Sequence, residues 1–207
     1  MRKIPFGQLP SRQDAEALLQ WANEQNPGPW AEHSRVVARV AETIARRCDL
    51  NGDGIYVLGL LHDIGRFEGI RDMHHIIAGY NLMMEKGYPQ VARICLTHSF
   101  PYKNIGAYSG KSFDCSSEEI ALVHSTLSSV DYDSYDSLIQ LGDSLSLPQG
   151  VCLLDVRLMD VVRRHGFNDY TLKKWDSIFA LKNLFDELCQ CNIYDLFHDE
   201  VRDVSFR

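Results

Sequence analysis

The chain has 207 residues, 45% hydrophobic and 24% charged, with 14 Gly and 7 Pro. Those proportions suit a globular chain with one sizeable core and exclude collagen-like and broadly disordered classes. The formal net charge of −7, with no block of Lys or Arg, argues against sequence-independent binding of polymeric nucleic acid.

Nearly every segment reads with a helical period. Ser11 with Asp14 is a capping-box variant that opens a helix to about residue 24. Asn26-Pro27-Gly28-Pro29 breaks the chain, and Pro29 starts a helix over about 30–47 whose apolar stripe is Val37, Val40, Ala41 and Ile44. A third helix, about 54–64, is apolar nearly all round and belongs at the centre. The segment 49–54 opens like a calcium loop, but Leu60 stands where a bidentate Glu is required, so it reads as a turn and cap. Helices over about 74–86 and 89–98 are separated by Gly87 and Pro89. Residues 99–116 form the one long irregular stretch, a length often used for lids, and Lys103, Lys111, Tyr102 and Tyr108 within it are candidate clamps. Ser116 with Glu119 caps a sixth helix, and further helices are predicted over about 134–146, 151–165 and 171–190. The fold class is all-α.

The apolar run 55–61 is far short of the roughly 20 residues of a bilayer span, so no membrane partner is expected. Pro5, Gln8 and Pro10 interrupt the N-terminal stretch where a secretory signal would be apolar. The six cysteines are scattered, mostly among apolar neighbours, and are expected to be reduced thiols of a cytoplasmic protein. Cys189 and Cys191, one residue apart with no second pair, are a poor zinc site.

The histidines and aspartates carry the chemistry. His33 leads the Val37, Val40, Ile44 stripe, and His62-Asp63 ends the most hydrophobic helix just before Gly65. His75 shares its face with Ala78, Gly79, Leu82 and Met83, whereas His74 shares one with Ile77, Asn81 and Glu85 and points toward solvent. His98 follows Ile94 and Cys95 by one turn, and Asp143 lies between Ile139 and Leu147. Burying any one of these is costly, because a lone desolvated carboxylate loses several kcal/mol or more. Neutral imidazoles and carboxylates around a divalent cation would relieve all six at once, and the absence of Cys favours Fe, Mn, Co, Mg or Zn. His124, with Ile120 and Ala121 before it and Leu127 after, reads as a core or supporting histidine. His165 stands at a helix end where it can bond the last carbonyls, and His198 has no supporting pattern.

The order His33, His62-Asp63 within Gly-Leu-Leu-His-Asp-Ile-Gly, then Asp143, resembles the HD-domain superfamily of metal-dependent phosphohydrolases. The resemblance covers about residues 30–147 and implies a helical bundle, with an N-terminal helix (1–29) packed on it and a C-terminal helical extension (148–207). It implies a metal at His33, His62, Asp63 and Asp143, and a second at His75 and His98 with Asp63 shared. Gly65-Arg66-Phe67 replaces the Glu-Asp of guanosine tetraphosphate hydrolases, and His98-Ser99-Phe100 departs from the cyclic-dinucleotide phosphodiesterase motif. The implied activity is hydrolysis of a small nucleotide or other phosphorylated metabolite, with Asp63 as a catalytic residue. Arg66, one turn after the His-Asp pair, is the candidate catalytic cation for the phosphate, and a surface Arg beyond a helix end would look the same. Relatives with the full ligand set also include diiron oxygenases that cleave C–C or C–P bonds. A non-catalytic metal- or nucleotide-binding module is the remaining alternative.

Overall fold

In the computed structural model, which describes residues 7–205, side-chain oxygens start the helices where local sequence demands them. Ser11 Oγ accepts from Asp14 N at 3.1 Å at the head of α1 (Arg12–Gln25), and α2 (Trp30–Arg47) follows directly on Pro29. Asn51 Oδ1 accepts from Gly54 N at 3.1 Å and opens α3 (Gly52–Leu61), so residues 49–54 are the cap they read as. Gly87, at φ +78°, turns the chain between α4 (His74–Glu85) and α5 (Pro89–Thr97). A reciprocal capping box at Ser116 and Glu119 starts α6 (Ser117–Ser129), and Asp133 caps α7 (Ser134–Ser144). α8 (Leu154–His165), α9 (Thr171–Cys189) and α10 (His198–Ser205) complete an all-α fold.

Two boundaries differ from the periodicity. Leu147-Pro148-Gln149-Gly150 forms a tight turn, with Gly150 at φ +140°, between the paired strands β1 (Ser146–Leu147) and β2 (Gly150–Val151). This hairpin occupies ground that the sequence reading gave to the ends of two helices. α3 stops at Leu61, and after Asp63 the chain tightens into a 3-10 turn, Ile64–Glu68.

α2 packs on α3, α1 packs on α3 and on the 3-10 turn, α4 packs on α5, and α7 packs on both α2 and α3. Small residues permit the closest approaches. A Cβ on Gly59 would sit 2.8 Å from Ala38 Cα, and one on Gly65 would sit 1.9 Å from the His75 carbonyl oxygen and 2.3 Å from Gly79 N. The 3-10 turn therefore rests directly on the backbone of α4, which sets Asp63 beside His75.

Two expectations are overturned here. Cys48 and Cys189 form a disulfide with Cα atoms 5.0 Å apart, so those two are not reduced thiols. They are 141 residues apart and meet only because the C-terminal ends of α2 and α9 converge, which spacing cannot reveal. The pairing also removes the cysteine argument for a reducing compartment. His124 is exposed rather than a core residue, because α6 lies at the edge of the fold and buries only Val123 and Leu127. The stretch read for a secretory signal begins in residues 1–6, outside the described residues. No described helix is long and apolar enough to cross a membrane.

Gly65→Ala should lower stability by about 3 kcal/mol, the upper part of the overpacking range, because the clash is with backbone that cannot rotate away. Urea denaturation measures this; a loss below about 0.5 kcal/mol would show that the turn is not pressed on α4.

Candidate metal centre

Six predicted side chains converge from five elements: His33 from α2, His62 and Asp63 from the end of α3, His75 from α4, His98 from the end of α5 and Asp143 from α7. His62, Asp63, His75 and His98 are 1%, 4%, 2% and 4% exposed. Three of the histidines are oriented by the same device. His62 Nδ1 donates to the Gly59 carbonyl at 2.7 Å, His75 Nδ1 to the Asp72 carbonyl, and His98 Nδ1 to the Cys95 carbonyl at 3.0 Å. A carbonyl only accepts, so in each ring the proton sits on Nδ1 and the Nε2 lone pair is left facing inward.

Those lone pairs face Asp63. His75 Nε2 is 3.1 Å and His98 Nε2 3.5 Å from Asp63 Oδ1, and His62 Nε2 is 4.0 Å from Oδ2. His62 Nε2, His75 Nε2 and Asp63 Oδ1 are buried without a hydrogen-bond partner. Acceptors crowded together with no proton between them repel unless a cation lies among them, and a carbonyl behind each imidazole is the usual support of a metal-binding histidine. The donors fall into two groups, His33 with His62 and Asp63, and Asp63 with His75 and His98, each with ligand atoms within 4.8 Å of one another. Asp63 belongs to both. Asp143 adjoins the first group through His33, whose Nε2 donates to Asp143 Oδ1 at 3.0 Å. These nitrogen and oxygen donors fit a divalent ion.

Arg66 is part of this cluster. Its Nε donates to Asp63 Oδ2 at 2.5 Å, and the side chain is one-third exposed toward a cleft of about 980 Å3. Burial alone would push the Asp63 carboxyl up, but the Arg66 guanidinium overrides it and holds Asp63 well below the usual carboxylate range. Asp143 is likewise held low against its burial, by the hydrogen bond from His33. Burial pushes His33 down, and pushes His98 down to about 3, so both rings are neutral near pH 7.

The remaining candidates separate by place. His74 faces away, with Nε2 3.0 Å from Glu68 and Nδ1 3.6 Å from Glu119. Tyr108 lines the cleft, whereas Tyr102, Lys103 and Lys111 do not; Lys103 lies over the Tyr132 ring. The 99–116 stretch is fastened by Lys111 N and Ser112 N to Asp72, and by Asn168 to the Gly106 and Tyr108 carbonyls. His165 ends α8 but does not bond its last carbonyls; it lines the cleft, where its Nε2 accepts from Arg164 at 3.1 Å. Two lining residues, Arg157 and Lys174, were not singled out from the sequence. A signal existed for the lysine, which stands four residues before Ile178 and eleven before Phe185 on the buried stripe of α9.

The neutral histidines give a pH dependence with a definite sign. A ring that protonates at about 6.5 when unfolded but near 3 when folded takes up its proton on unfolding, so stability is lost as pH falls below 6.5. The depressed carboxylates add to the loss only below about pH 4. Metal-free protein should therefore lose about 1.4 kcal/mol per pH unit through His98 between pH 6 and 4.5, and His98→Gln should flatten the slope. Denaturant titrations at a series of pH values check this; a flat profile in the parent would mean that the rings are not held neutral.

Comparisons with known proteins bear on this arrangement. None of the curated proteins matches the chain in sequence. Among solved structures, the HD domain of the L. monocytogenes phosphodiesterase PgpH is 18% identical, with TM-score 0.43 over 88% of this chain and 94% of that one. The same domain in complex with cyclic-di-AMP is 16% identical, with TM-score 0.49 over 92% and 98%. The family model described as HD domain matches residues 30–146, the span that holds all six converging side chains, and the chain belongs to the HD-domain family.

Proposed function

We propose that the protein is a metal-dependent phosphohydrolase acting on a small nucleotide or other phosphorylated metabolite. The observation that carries this reading is the cluster of buried acceptors, His62 Nε2, His75 Nε2 and Asp63 Oδ1, facing one another with no proton to share. His33, His62, Asp63 and Asp143 would hold one ion, and His75 and His98 a second, with Asp63 common to both. A divalent ion bound there supplies Lewis acidity, lowering the pKa of a coordinated water from 15.7 toward about 7 and polarising a phosphoryl oxygen.

The chain's own groups prepare that chemistry. The backbone carbonyls of Gly59, Asp72 and Cys95 hold three imidazoles aimed, with Nδ1 turned outward and Nε2 toward Asp63. Arg66 keeps Asp63 ionised, and because its Nε is engaged with that carboxylate it acts on Asp63 rather than serving only the substrate. The cleft beside the cluster, at about 980 Å3, is at the upper end of the range for small-molecule sites. Together with the net charge of −7, that size favours a small substrate over polymeric nucleic acid.

Protein purified without added metal should carry one or two equivalents of Fe, Mn, Co, Mg or Zn and release phosphate or a nucleotide product in a screen of nucleotides and phosphoesters. Asp63→Ala should lose both metal and turnover. His75→Ala should lose one metal equivalent, while His74→Ala keeps the full content. Element analysis and phosphate release check these outcomes; full metal content and turnover in Asp63→Ala would overturn the reading, and substrate-dependent oxygen consumption in place of phosphate release would assign an oxygenase.

A further inference from the structure

The cleft has one wall that lies outside the matched family span. α8 and α9 bring Arg157 and Lys174 to the lining that also contains His33, Asp63 and Asp143. Neither cation is well matched by the protein itself. Arg157 Nη2 is 3.6 Å from Asp143 Oδ1 and Nη1 is 3.4 Å from Asp160 Oδ2, both longer than the roughly 2.7–2.9 Å of a charge-assisted hydrogen bond. Its Nε is buried with no partner, although the side chain is only 15% exposed. Lys174 is half-buried, donates to Ser109 Oγ at 2.9 Å and has no ion-pair partner among the described residues. Desolvation pushes its ammonium down to about 8, so it is still charged at neutral pH. Two desolvated cations with spare donors, on the open side of a carboxylate and imidazole cluster, are arranged for an anion that enters the cleft.

Resting on the phosphohydrolase reading, we propose that Arg157 and Lys174 are the grip for the substrate's phosphoryl oxygens, a role that Arg66 cannot fill alone while its Nε holds Asp63. The ligand class is a phosphate oxyanion on a small molecule, with the guanidinium fork bonding its oxygens and the ammonium adding a second point of charge. The C-terminal extension thereby becomes part of the site, supplying the substrate contacts while the family core supplies the metal donors.

The test uses the full chain and orthophosphate as the probe. Lys174→Met, Arg157→Met and Arg157→Lys are compared with the parent for metal content, melting temperature and phosphate affinity by calorimetry. Metal content should be unchanged in all three. Phosphate should bind about tenfold to a hundredfold more weakly to each methionine variant, with Arg157→Lys recovering part of the loss. Lys174→Met should melt no lower than the parent without phosphate, since it removes a desolvated charge that has no ion-pair partner, and should show a smaller melting shift when phosphate is added. Parental phosphate affinity in both methionine variants would overturn the proposal while leaving the metal reading intact. If the parent holds no metal but the variants still lose phosphate affinity, the phosphohydrolase reading falls and the anion grip stands. Should Arg157→Met fail to fold, Arg157→Lys and Lys174→Met decide the matter between them.

Discussion

Everything near the centre of this molecule is arranged around one unfavourable act, the burial of the Asp63 carboxylate. An ionised carboxylate removed from water loses several kcal/mol of solvation even after relaxation. Arg66, three residues on, offsets part of that cost with a direct bond to Oδ2. The other oxygen is left facing the Nε2 lone pairs of His75 and His98, which two backbone carbonyls have fixed in the wrong tautomer to help it. A site that makes its own interior uncomfortable in this way is preorganised for a cation, since the repulsion is relieved at the moment of binding rather than by refolding.

The fold can be understood as the scaffold for that arrangement. Gly59 lets α3 sit against α2, which fixes His62 relative to His33. Gly65 lets the following turn press on α4, which fixes Asp63 relative to His75. α5 and α7 then close the ring with His98 and Asp143. Each donor thus stands on a packed helix or in the turn directly at a helix end, which keeps positional error small.

How much of this was legible in the sequence depends on distance along the chain. Caps at Ser11, Asn51 and Ser116 involve residues three apart, and the text states them directly. The inward face of His75 and the outward face of His74 follow from helical register, which is also local. The convergence of His33, His62-Asp63 and Asp143 is not local: the cost of burying six such groups suggests that they meet around a metal, and the resemblance divides them between sites. Arg66 was expected on a phosphate from its place one turn after the His-Asp pair. Its bond to Asp63 could not be read as well, because it depends on α3 ending at Leu61, three residues before periodicity places that end. His124 sat in an apolar pattern, but α6 packs at an edge and buries only Val123 and Leu127 of it. Arg157 and Lys174 reach the cleft through the docking of α8 and α9, and no pattern within either helix says which cavity a buried cation will face.

The Cys48–Cys189 link reaches further than the two helix ends it joins. It closes a loop that contains every residue of the metal cluster except His33, which lies just outside it on α2. On the chain-entropy account, closing a loop of 141 residues removes about 5 kcal/mol of freedom from the unfolded ensemble. The unfolded chain is then a tethered ring rather than an open coil, and five of the six candidate ligands are confined to it. Recovering the site after unfolding becomes a search within a closed contour, in which the extension that carries Arg157 and Lys174 never strays far from the core it completes.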